Sequence, residues 1–519
     1  MQTLTASACK SSRQATSGAL ICLLSLAIWV GAPLRAAETS DGNSKSIEGA
    51  VTAIEHQFDD MRVEEAAYAL VRGDQQLVAG HGTASPDTPF VIASVSKSIT
   101  ALAILQLVDS GLVSLDAPVT DYIDWFTTAD SEASITVRQL LNQTSGLSTL
   151  DGVRDAFAPE VPLEERVHSI ADYGLISEPG AEFHYSNLNY AVLGLLIEKA
   201  SGMRYGEFIQ DEIFDPLGMD HSYSDFAVAQ ANGLATGTIT VCGFPVSVSQ
   251  TAHPGLVPDG YLISTASDMA RYLRFQMGDG TFDGRRLLSP EYMAIMHTPA
   301  AASPGGQYLD HYAMGWRTGT IDGQSLVAHD GNTFGFHADV AVLPELDTAV
   351  VVLVARSGIM VNRLDIAAVE ALTGGTPSVG RSFTAAWVVL DVVLALLVLT
   401  SIVYVMRRHR RRRKNPPRIP PRWPAVLQVV AGVLIGAAVA LLAGSVAGGL
   451  DLVTFRIFWG LAPDVLIVGV AIPLVLVAAG IATFQERRTT SQLPTPETEP
   501  DTAKLPIGGP PSEASVEHV

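Results

Sequence analysis

Residues 90–97 read Phe90-Val91-Ile92-Ala93-Ser94-Val95-Ser96-Lys97, an apolar run that ends in a serine and a lysine three positions apart. The residues that follow, 99–108, are apolar at helical spacing and stop before Gly111, so we predict a helix there. Residues three apart share one face of a helix, which brings the Ser94 hydroxyl and the Lys97 amine together. The stretch therefore predicts a strand that turns into a helix and presents both side chains at the junction.

Ser94 and Lys97 are residue types that can serve as a nucleophile and its activating base. A serine hydroxyl reacts poorly until a base takes its proton. A lysine that is desolvated in a cleft can have its pKa lowered enough to act as that base. The free backbone N–H groups at a helix N-terminus can also face a developing oxyanion. A second Ser-x-x-Lys, from Ser7 to Lys10, lacks the apolar strand-to-helix context and is attributed to chance.

A second polar motif, Tyr185-Ser186-Asn187, stands just before the helix-like run 191–197. A tyrosine hydroxyl near a lysine ammonium loses its proton more easily and can pass one to a leaving group. The amide of Asn187 can bind a substrate carbonyl. Taken alone, the motif is more typical of a loop with a half-buried tyrosine.

A third motif, His329-Asp330-Gly331-Asn332, follows the strand-like run 324–328. A histidine on an edge strand can line a cleft, and a glycine there lets a substrate backbone approach closely. A single histidine is more often structural. The similar His253-Pro254-Gly255 is discounted, because a proline cannot donate a ladder hydrogen bond and the run resembles a loop.

Paired strand-like runs elsewhere predict β-hairpins. Residues 67–71 and 76–79 flank Arg72-Gly73-Asp74, and residues 338–343 and 348–355 flank 344–347. Together with the predicted helices, these hairpins indicate one mixed α/β unit over residues 45–375.

The order of the three motifs closely resembles that of the serine β-lactamases and penicillin-binding-protein-like hydrolases. The class C β-lactamase, D-alanyl-D-alanine carboxypeptidase and esterase branch is the best match, and Ser-x-x-Lys is also known from the related class A enzymes. The resemblance covers roughly residues 50–372. Further segments that look like the same family are 88–90, 140–147, 259–269 and 331–336.

The resemblance implies an α/β (α+β) fold in which helices flank an antiparallel sheet and the active site lies between the sheet and a helical subdomain. It implies a reaction through an acyl-enzyme that water hydrolyses, with no cofactor and no metal. The site residues that it implies are the nucleophile Ser94, the proton relay Lys97 and Tyr185, the substrate-binding Asn187, His329 and Gly331, and an oxyanion hole from the backbone N–H groups of Ser94 and Asn332.

Two positions depart from the family pattern. Gln143 stands where relatives often carry histidine, in a segment that is not catalytic. His329 replaces the lysine of a Lys-Thr-Gly motif, and a neutral imidazole holds a substrate carboxylate less firmly than an ammonium does. We therefore expect a peptidase or esterase rather than an efficient β-lactamase. The alternative is a catalytically weak penicillin-binding or sensor protein that retains the fold.

The charge distribution argues against nucleic acid as a partner. Residues 38–383 hold 17 lysines and arginines against 44 aspartates and glutamates, so this part repels phosphate. The three cysteines, Cys9, Cys22 and Cys242, leave one thiol after the N-terminal segment and suggest no zinc site. The partners that remain are a small-molecule or peptide substrate and a lipid membrane.

The N-terminus has the pattern of a secretory signal. Lys10 and Arg13 precede the apolar run 19–32 and the small residues that end at 37. We predict a signal peptide over 1–37, or alternatively an uncleaved anchor, and an extracytoplasmic hydrolase domain over 38–380.

Three apolar stretches follow that domain, at 384–406, 425–447 and 461–484. Each is long enough to cross a hydrocarbon core of about 30 Å. The basic run 407–414 favours the cytoplasmic side, as do Arg487 and Arg488. The pattern predicts a membrane domain over 384–484 with three transmembrane helices and a disordered cytoplasmic tail over 485–519. The protein would thus be a multi-pass cell-membrane protein whose catalytic domain lies outside the cytoplasm.

Overall fold

An eight-stranded sheet lies at the centre of the fold. The computed structural model of the protein describes residues 47–156, 160–241, 244–249, 253–303, 308–357 and 364–375, with isolated positions farther along the chain. Neighbouring strands of the sheet are antiparallel. In the order in which they cross the sheet, the strands are β2 (Gln75–Gly82), β1 (Glu65–Arg72), β14 (Thr348–Val354), β13 (Phe336–Leu343), β12 (Gln324–Thr333), β11 (Arg317–Ile321), β10 (Leu309–Tyr312) and β9 (Ala301–Ala302).

Both faces of this sheet are buried. Successive side chains of a strand point to opposite faces. In β1, Ala67 and Ala69 therefore belong to one hydrophobic core, whereas Ala66 and Tyr68 belong to the other. A strand between two cores needs apolar residues at every position, and all seven residues of β14 are buried.

Helices cover the sheet on both sides. In chain order they are α1 (Ile47–Met61), α2 (Ser96–Asp109), α3 (Val137–Leu141), α4 (Thr149–Ala156), α5 (Leu163–His168), α6 (Asn187–Ser201), α7 (Tyr205–Ile209), α8 (Asp215–Leu217), α9 (Phe226–Ala231), α10 (Ala266–Met277), α11 (Pro290–His297) and α12 (Ile366–Thr373). The terminal helices α1 and α12 pack together on the second core. The larger first core lies under α2, α6 and α10.

Short strands form three smaller sheets. They are β3 (Phe90–Val91) with β6 (Ile263–Ser264), β4 (Thr238–Val241) with β5 (Phe244–Ser247) and β15 (Arg356–Ser357), and β7 (Thr281–Phe282) with β8 (Arg285–Arg286). The pair of β3 and β6 matters most for the site, because it fixes the chain immediately before α2.

Helix α2 is a core helix that positions the site. Its residues from Ser96 to Leu105 are all buried, and it packs against α6 and the turn Val257–Tyr261. A helix that is apolar on all sides is stable only inside a protein. Polar side chains on α2, such as Lys97, are consequently carried into the interior.

The structure confirms the predicted mixed helix and antiparallel-sheet fold. The predicted hairpins are β1–β2 and β13–β14, the run 99–108 lies in α2, and the run 191–197 lies in α6. Within the described ranges, no helix combines the length and apolar character needed to cross a bilayer. The predicted signal peptide over 1–37, the predicted membrane spans at 384–406, 425–447 and 461–484, and the predicted tail over 485–519 lie outside the continuously described residues.

Candidate active site

Ser94 lies in a tight turn between β3 and α2. The turn spans Ala93–Val95, and Ala93 has a φ of +47°, in the left-handed region that costs a non-glycine residue about 1–2 kcal/mol. Backbone pairing immediately before this strained residue helps to hold it, since Ile92 N–H donates to the Leu262 carbonyl at 3.0 Å. The result is a half-buried Ser94 whose hydroxyl is presented at the start of a rigid helix.

Lys97 lies one turn farther along and is completely buried. Its Nζ donates to Ser94 Oγ at 3.1 Å, as the spacing predicted. It also donates to Asn187 Oδ1 at 2.9 Å and to the Asp259 carbonyl at 2.6 Å. All three acceptors are uncharged oxygens.

Burial lowers the pKa of Lys97 to about 7, and the effect is the largest among those acting on this amine. The charge of Asp259 opposes it, whereas the cations Arg166 and Arg317 reinforce it. A substantial fraction of the amine is therefore neutral near pH 7, which is the form that can accept a proton from Ser94.

Tyr185 reaches the nucleophile from the loop before α6. Its hydroxyl lies close enough to Ser94 to influence the phenol's pKa, and its ring centroid lies 5.0 Å from Lys97 Nζ. Burial raises the pKa of Tyr185 above its usual value, and the nearby Ser94 hydroxyl offsets this only in part. The expectation that this phenol is easier to deprotonate is thus not met, because burial disfavours the charged phenolate and is the largest effect on its pKa.

The side-chain oxygen of Asn187 is bound to Lys97 within the protein. Besides accepting from Lys97, its amide donates from Nδ2 to the Gly152 carbonyl at 3.3 Å. Asn187 therefore orients the lysine at the first turn of α6. One amide proton remains for the predicted contact with a substrate.

Gly331 brings β12 against the nucleophile turn. A Cβ at this position would lie 2.7 Å from Ser94 N and 2.8 Å from the Ile92 carbonyl oxygen, which leaves no room for a side chain. The sequence suggested that glycine admits a substrate backbone. The contact that requires glycine is instead with the protein's own turn, which packs directly on β12.

The pairing of strand β12 changes at this point. It pairs with β13 as far as Thr333, whereas its pairing with β11 ends at Ala328 opposite Arg317. Among the described strands, residues 329–333 therefore pair with β13 and not with β11.

His329 is buried and uncharged. Its Nδ1 lies 2.7 Å from the Asp330 carbonyl, which can only accept, so this nitrogen carries the proton. Nε2 then accepts from the Tyr312 hydroxyl at 3.3 Å. Burial lowers the pKa of His329 to about 3. The expected neutral imidazole is present, and both of its nitrogens are engaged inside the protein.

Arg317 is a site residue that the motifs did not reveal. Its guanidinium carbon lies 5.4 Å from the Tyr185 ring centroid and 5.9 Å from that of Tyr312. Nη1 donates to Ser303 Oγ at 3.1 Å, and Nε is 3.6 Å from the Asp330 carboxylate. The Arg317 side chain is 24% exposed. A single arginine at the start of a strand matches no sequence motif. Only its position beside the Tyr185 ring identifies Arg317 as a residue of the site.

Gln143 supports the site from behind. It is buried in the left-handed conformation, with a φ of +61°, and its Oε1 accepts from Ser186 N–H at 2.9 Å. It thereby holds the Tyr185–Asn187 loop, and the prediction that it has no catalytic contact agrees with this position.

His253 lies in a loop, as expected, with its ring 5.1 Å from that of Tyr261. Among the described residues, no group of three or more potential metal ligands is close enough to hold a metal ion.

Comparisons with known proteins place this geometry in a family. Residues 51–374 match the family model described as Beta-lactamase. Penicillin-binding protein 4 of Amycolatopsis lactamdurans is 30% identical over 318 residues, which is 56% of this chain and 81% of that protein. Protein flp of Staphylococcus aureus is 27% identical over 317 residues, and the match covers 58% of this chain and 61% of that protein, less than two thirds of it.

Solved structures show the same fold. The octameric penicillin-binding protein homologue from Pyrococcus abyssi aligns with a TM-score of 0.59 and 27% identity, covering 64% of this chain and 79% of the other. A class C β-lactamase aligns with a TM-score of 0.53 at 18% identity, which bears on the fold alone. With the family match over most of the described domain, the conclusion is that this chain belongs to the β-lactamase family.

Proposed function

We propose that the protein is a serine hydrolase that acts through an acyl-enzyme on Ser94. The observation that carries the proposal is a fully buried lysine with its Nζ 3.1 Å from the Ser94 hydroxyl. A base whose pKa is near the working pH combines availability with driving force for proton transfer. Lys97, with its pKa lowered to about 7, has this property.

The geometry supports a two-step reaction. Neutral Lys97 takes the proton as Ser94 Oγ bonds to the substrate carbonyl carbon. The backbone N–H groups of Ser94 and Asn332 would bind the oxyanion, as the close packing of Gly331 on the Ser94 turn favours. Tyr185, which remains protonated, donates to the leaving group as its bond to the carbonyl carbon breaks, and is reprotonated from Lys97. Water then hydrolyses the ester on Ser94.

The substrate class that the site favours is a peptide, amide or ester. His329 is neutral where a cation would bind a carboxylate, and this argues against an efficient β-lactamase. Arg317, however, supplies a partly exposed cation beside Tyr185. We therefore propose an acyl substrate whose anionic end, where it has one, is bound by Arg317. The relative named as a penicillin-binding protein makes penicillin a reasonable probe.

Covalent labelling tests the proposal directly. The purified protein is incubated with a fluorescent penicillin or a fluorophosphonate, beside Ser94→Ala and the matched control Ser96→Ala. We expect label on the wild type and on Ser96→Ala, and none on Ser94→Ala. Label that persists on Ser94→Ala would refute the assignment. Stable label without turnover of any ester, amide or β-lactam would favour a penicillin-binding sensor.

Anchoring in the cell membrane, with the catalytic domain outside the cytoplasm, is also proposed. Its support is the hydropathy of 384–406, 425–447 and 461–484 and the basic run 407–414. Ser445→Cys and Ser491→Cys in a Cys242→Ser background test it with an impermeant thiol reagent on intact cells. We expect Ser445→Cys to react and Ser491→Cys to be protected until lysis. Reaction of Ser491→Cys on intact cells would overturn the three-span topology.

A further inference from the structure

A buried arginine outside the family motifs binds two carboxylates beside the site. Arg166, on α5, is 2% exposed. Its Nε donates to Asp155 Oδ2 at 2.5 Å, and its Nη1 donates to Asp259 and, at 2.6 Å, to the Gly255 carbonyl. Both carboxylates are almost completely buried as well. One guanidinium therefore joins α4, α5 and the segment 253–262.

One of these carboxylates belongs to the residue that holds the lysine. The backbone carbonyl of Asp259 accepts from Lys97 Nζ at 2.6 Å. Two residues on, Tyr261 accepts a hydrogen bond from Thr333 Oγ1 at 3.0 Å, at the end of β12. The segment that Arg166 secures thus contacts both Lys97 and the strand that carries Gly331.

The other carboxylate belongs to the helix that holds the asparagine. Asp155 lies in α4, where the Gly152 carbonyl accepts from Asn187 Nδ2 at 3.3 Å. This helix packs tightly on the asparagine, because a Cβ on Gly152 would lie 2.7 Å from Asn187 N. The contact that orients Asn187 is therefore made by the helix that Arg166 binds.

We propose that Arg166 is a positioning residue for the catalytic lysine: by binding Asp155 and Asp259 together, it fixes the two backbone carbonyls that accept from Asn187 and Lys97. The inference deepens the proposed hydrolase function and rests on it. A role in stability alone would be met as well by apolar side chains of similar volume, since burying charges is costly. The fork geometry of a guanidinium, in contrast, fixes the directions of two carboxylates at once.

The network also acts on Lys97 through charge. Asp259 raises the pKa of Lys97, whereas Arg166 lowers it. A variant that removes only the negative charge therefore lowers the pKa of Lys97 further. The other charged or titratable groups that face Lys97 stay unchanged in such a variant: Arg317, Asp330, His329, Tyr185 and Tyr190.

The principal test is Asp259→Asn in the full chain. We measure the labelling rate of Ser94 by fluorophosphonate between pH 5 and 9, together with the melting temperature. The neutral amide introduced by this substitution holds Arg166 less firmly than a carboxylate does, so we expect labelling to slow by roughly tenfold to hundredfold. We also expect the acidic limb of the pH profile to move to lower pH, which loss of stability alone would not cause.

The matched control is Asp268→Asn. Asp268 and Asp259 are both 3% exposed, and Asp268 accepts from Ser222 Oγ and His221 N–H rather than from any residue of the site. We expect this control to melt at a lower temperature and to keep the wild-type labelling rate and pH limb. Equal labelling rates and equal limbs in Asp259→Asn and the wild type would overturn the inference.

A second variant covers the case in which Asp259→Asn does not fold. Arg166→Lys keeps the positive charge but cannot bind both carboxylates in a fork. We expect slower labelling with the acidic limb in place, and wild-type labelling would contradict the inference. The two proposals fail differently: label on Ser94→Ala refutes the hydrolase, whereas label that depends on Ser94 but is unaffected by Asp259→Asn or Arg166→Lys refutes the role of Arg166 alone.

Discussion

The pKa values of two buried basic side chains in this protein, Lys97 and Arg166, are shifted in opposite directions. Lys97 is 0% exposed and donates only to uncharged oxygens, and burial lowers its pKa to about 7. Arg166 is 2% exposed, and burial alone would lower its pKa. Asp259 and Asp155 outweigh that effect and raise the pKa of Arg166 above its usual value. Burial alone therefore does not determine the charge of a basic group; the charge of its partners matters as well.

The difference suits the two residues to different roles. A lysine that is easily neutral can take a proton but contributes little stability in its charged form. An arginine that is permanently charged cannot act as a base, but it can hold two chain segments in fixed directions. The following predictions test this contrast.

The largest effect is expected when Lys97 is replaced by arginine, which is permanently charged like Arg166. Lys97→Arg places a permanently charged group in the position of the base, so we expect it to slow labelling of Ser94 about 10²- to 10⁴-fold, as much as Lys97→Ala. The measurement is the rate of fluorophosphonate labelling at pH 8. A Lys97→Arg protein that labels within tenfold of the wild type would show that Lys97 acts only through its charge.

Methionine at the two positions should change stability in opposite directions. Arg166→Met leaves two buried carboxylates unpaired, and we expect it to lower the free energy of unfolding by about 3–5 kcal/mol. Lys97→Met removes a desolvated cation, so at pH 6 we expect a gain of at most a few kcal/mol, given about 1.4 kcal/mol for each pKa unit. Urea unfolding of both variants measures this, and a loss in both would contradict the contrast.

The pH dependence of that gain has a definite sign. The pKa of Lys97 is lower in the folded protein than in the unfolded chain, so the unfolded chain binds more protons between about pH 7 and the ordinary value of 10.5. Wild-type stability consequently rises with pH over this window. The advantage of Lys97→Met should be full below pH 7 and should shrink towards pH 10.5. A constant difference from pH 6 to 10 would mean that Lys97 does not titrate there.

Activity should follow the same group. We expect the labelling rate of the wild type to rise about tenfold per pH unit below pH 7 and to level off above it, because neutral Lys97 is the base. His329, whose pKa is lowered to about 3, should add no step near pH 6. A rate profile with a midpoint near pH 6 that is absent in His329→Asn would show that the titrating group is His329 rather than Lys97.

The smallest effect is expected for the third cation, which is partly exposed. Arg317→Gln should lower kcat/KM about tenfold for an acyl peptide with a free terminal carboxylate, since a hydrogen bond to a charged group contributes about 1.5–3 kcal/mol and exposure weakens it. The same peptide with an amide terminus should be little affected. Arg286→Gln, at an exposed arginine paired with Asp279, is the control. Equal losses on both peptides would remove Arg317 from substrate binding.

The sequence alone determined the local parts of the fold and the core of the motif. Helical spacing was sufficient to place Ser94 next to Lys97, because a contact across three residues depends only on helix geometry. The two hairpins followed for the same reason, since alternating apolar runs around a turn specify their own pairing. The family resemblance then indicated Tyr185, which the structure does bring to Ser94.

Only the tertiary structure decided the electrostatics of the site. The Asp259 carbonyl contacts Lys97 from 162 positions away in the chain, and Arg166, 69 positions away, acts on Lys97 through its charge. No local sequence pattern indicates either effect. Desolvation, which depends on everything packed around a group, lowers the pKa of Lys97 and raises that of Tyr185, contrary to the expectation for the tyrosine. Helix geometry is a property of neighbouring residues, whereas burial and charge are set by remote ones. This is why the contact of Ser94 with Lys97 could be predicted from the sequence, whereas the pKa direction of Tyr185 could not.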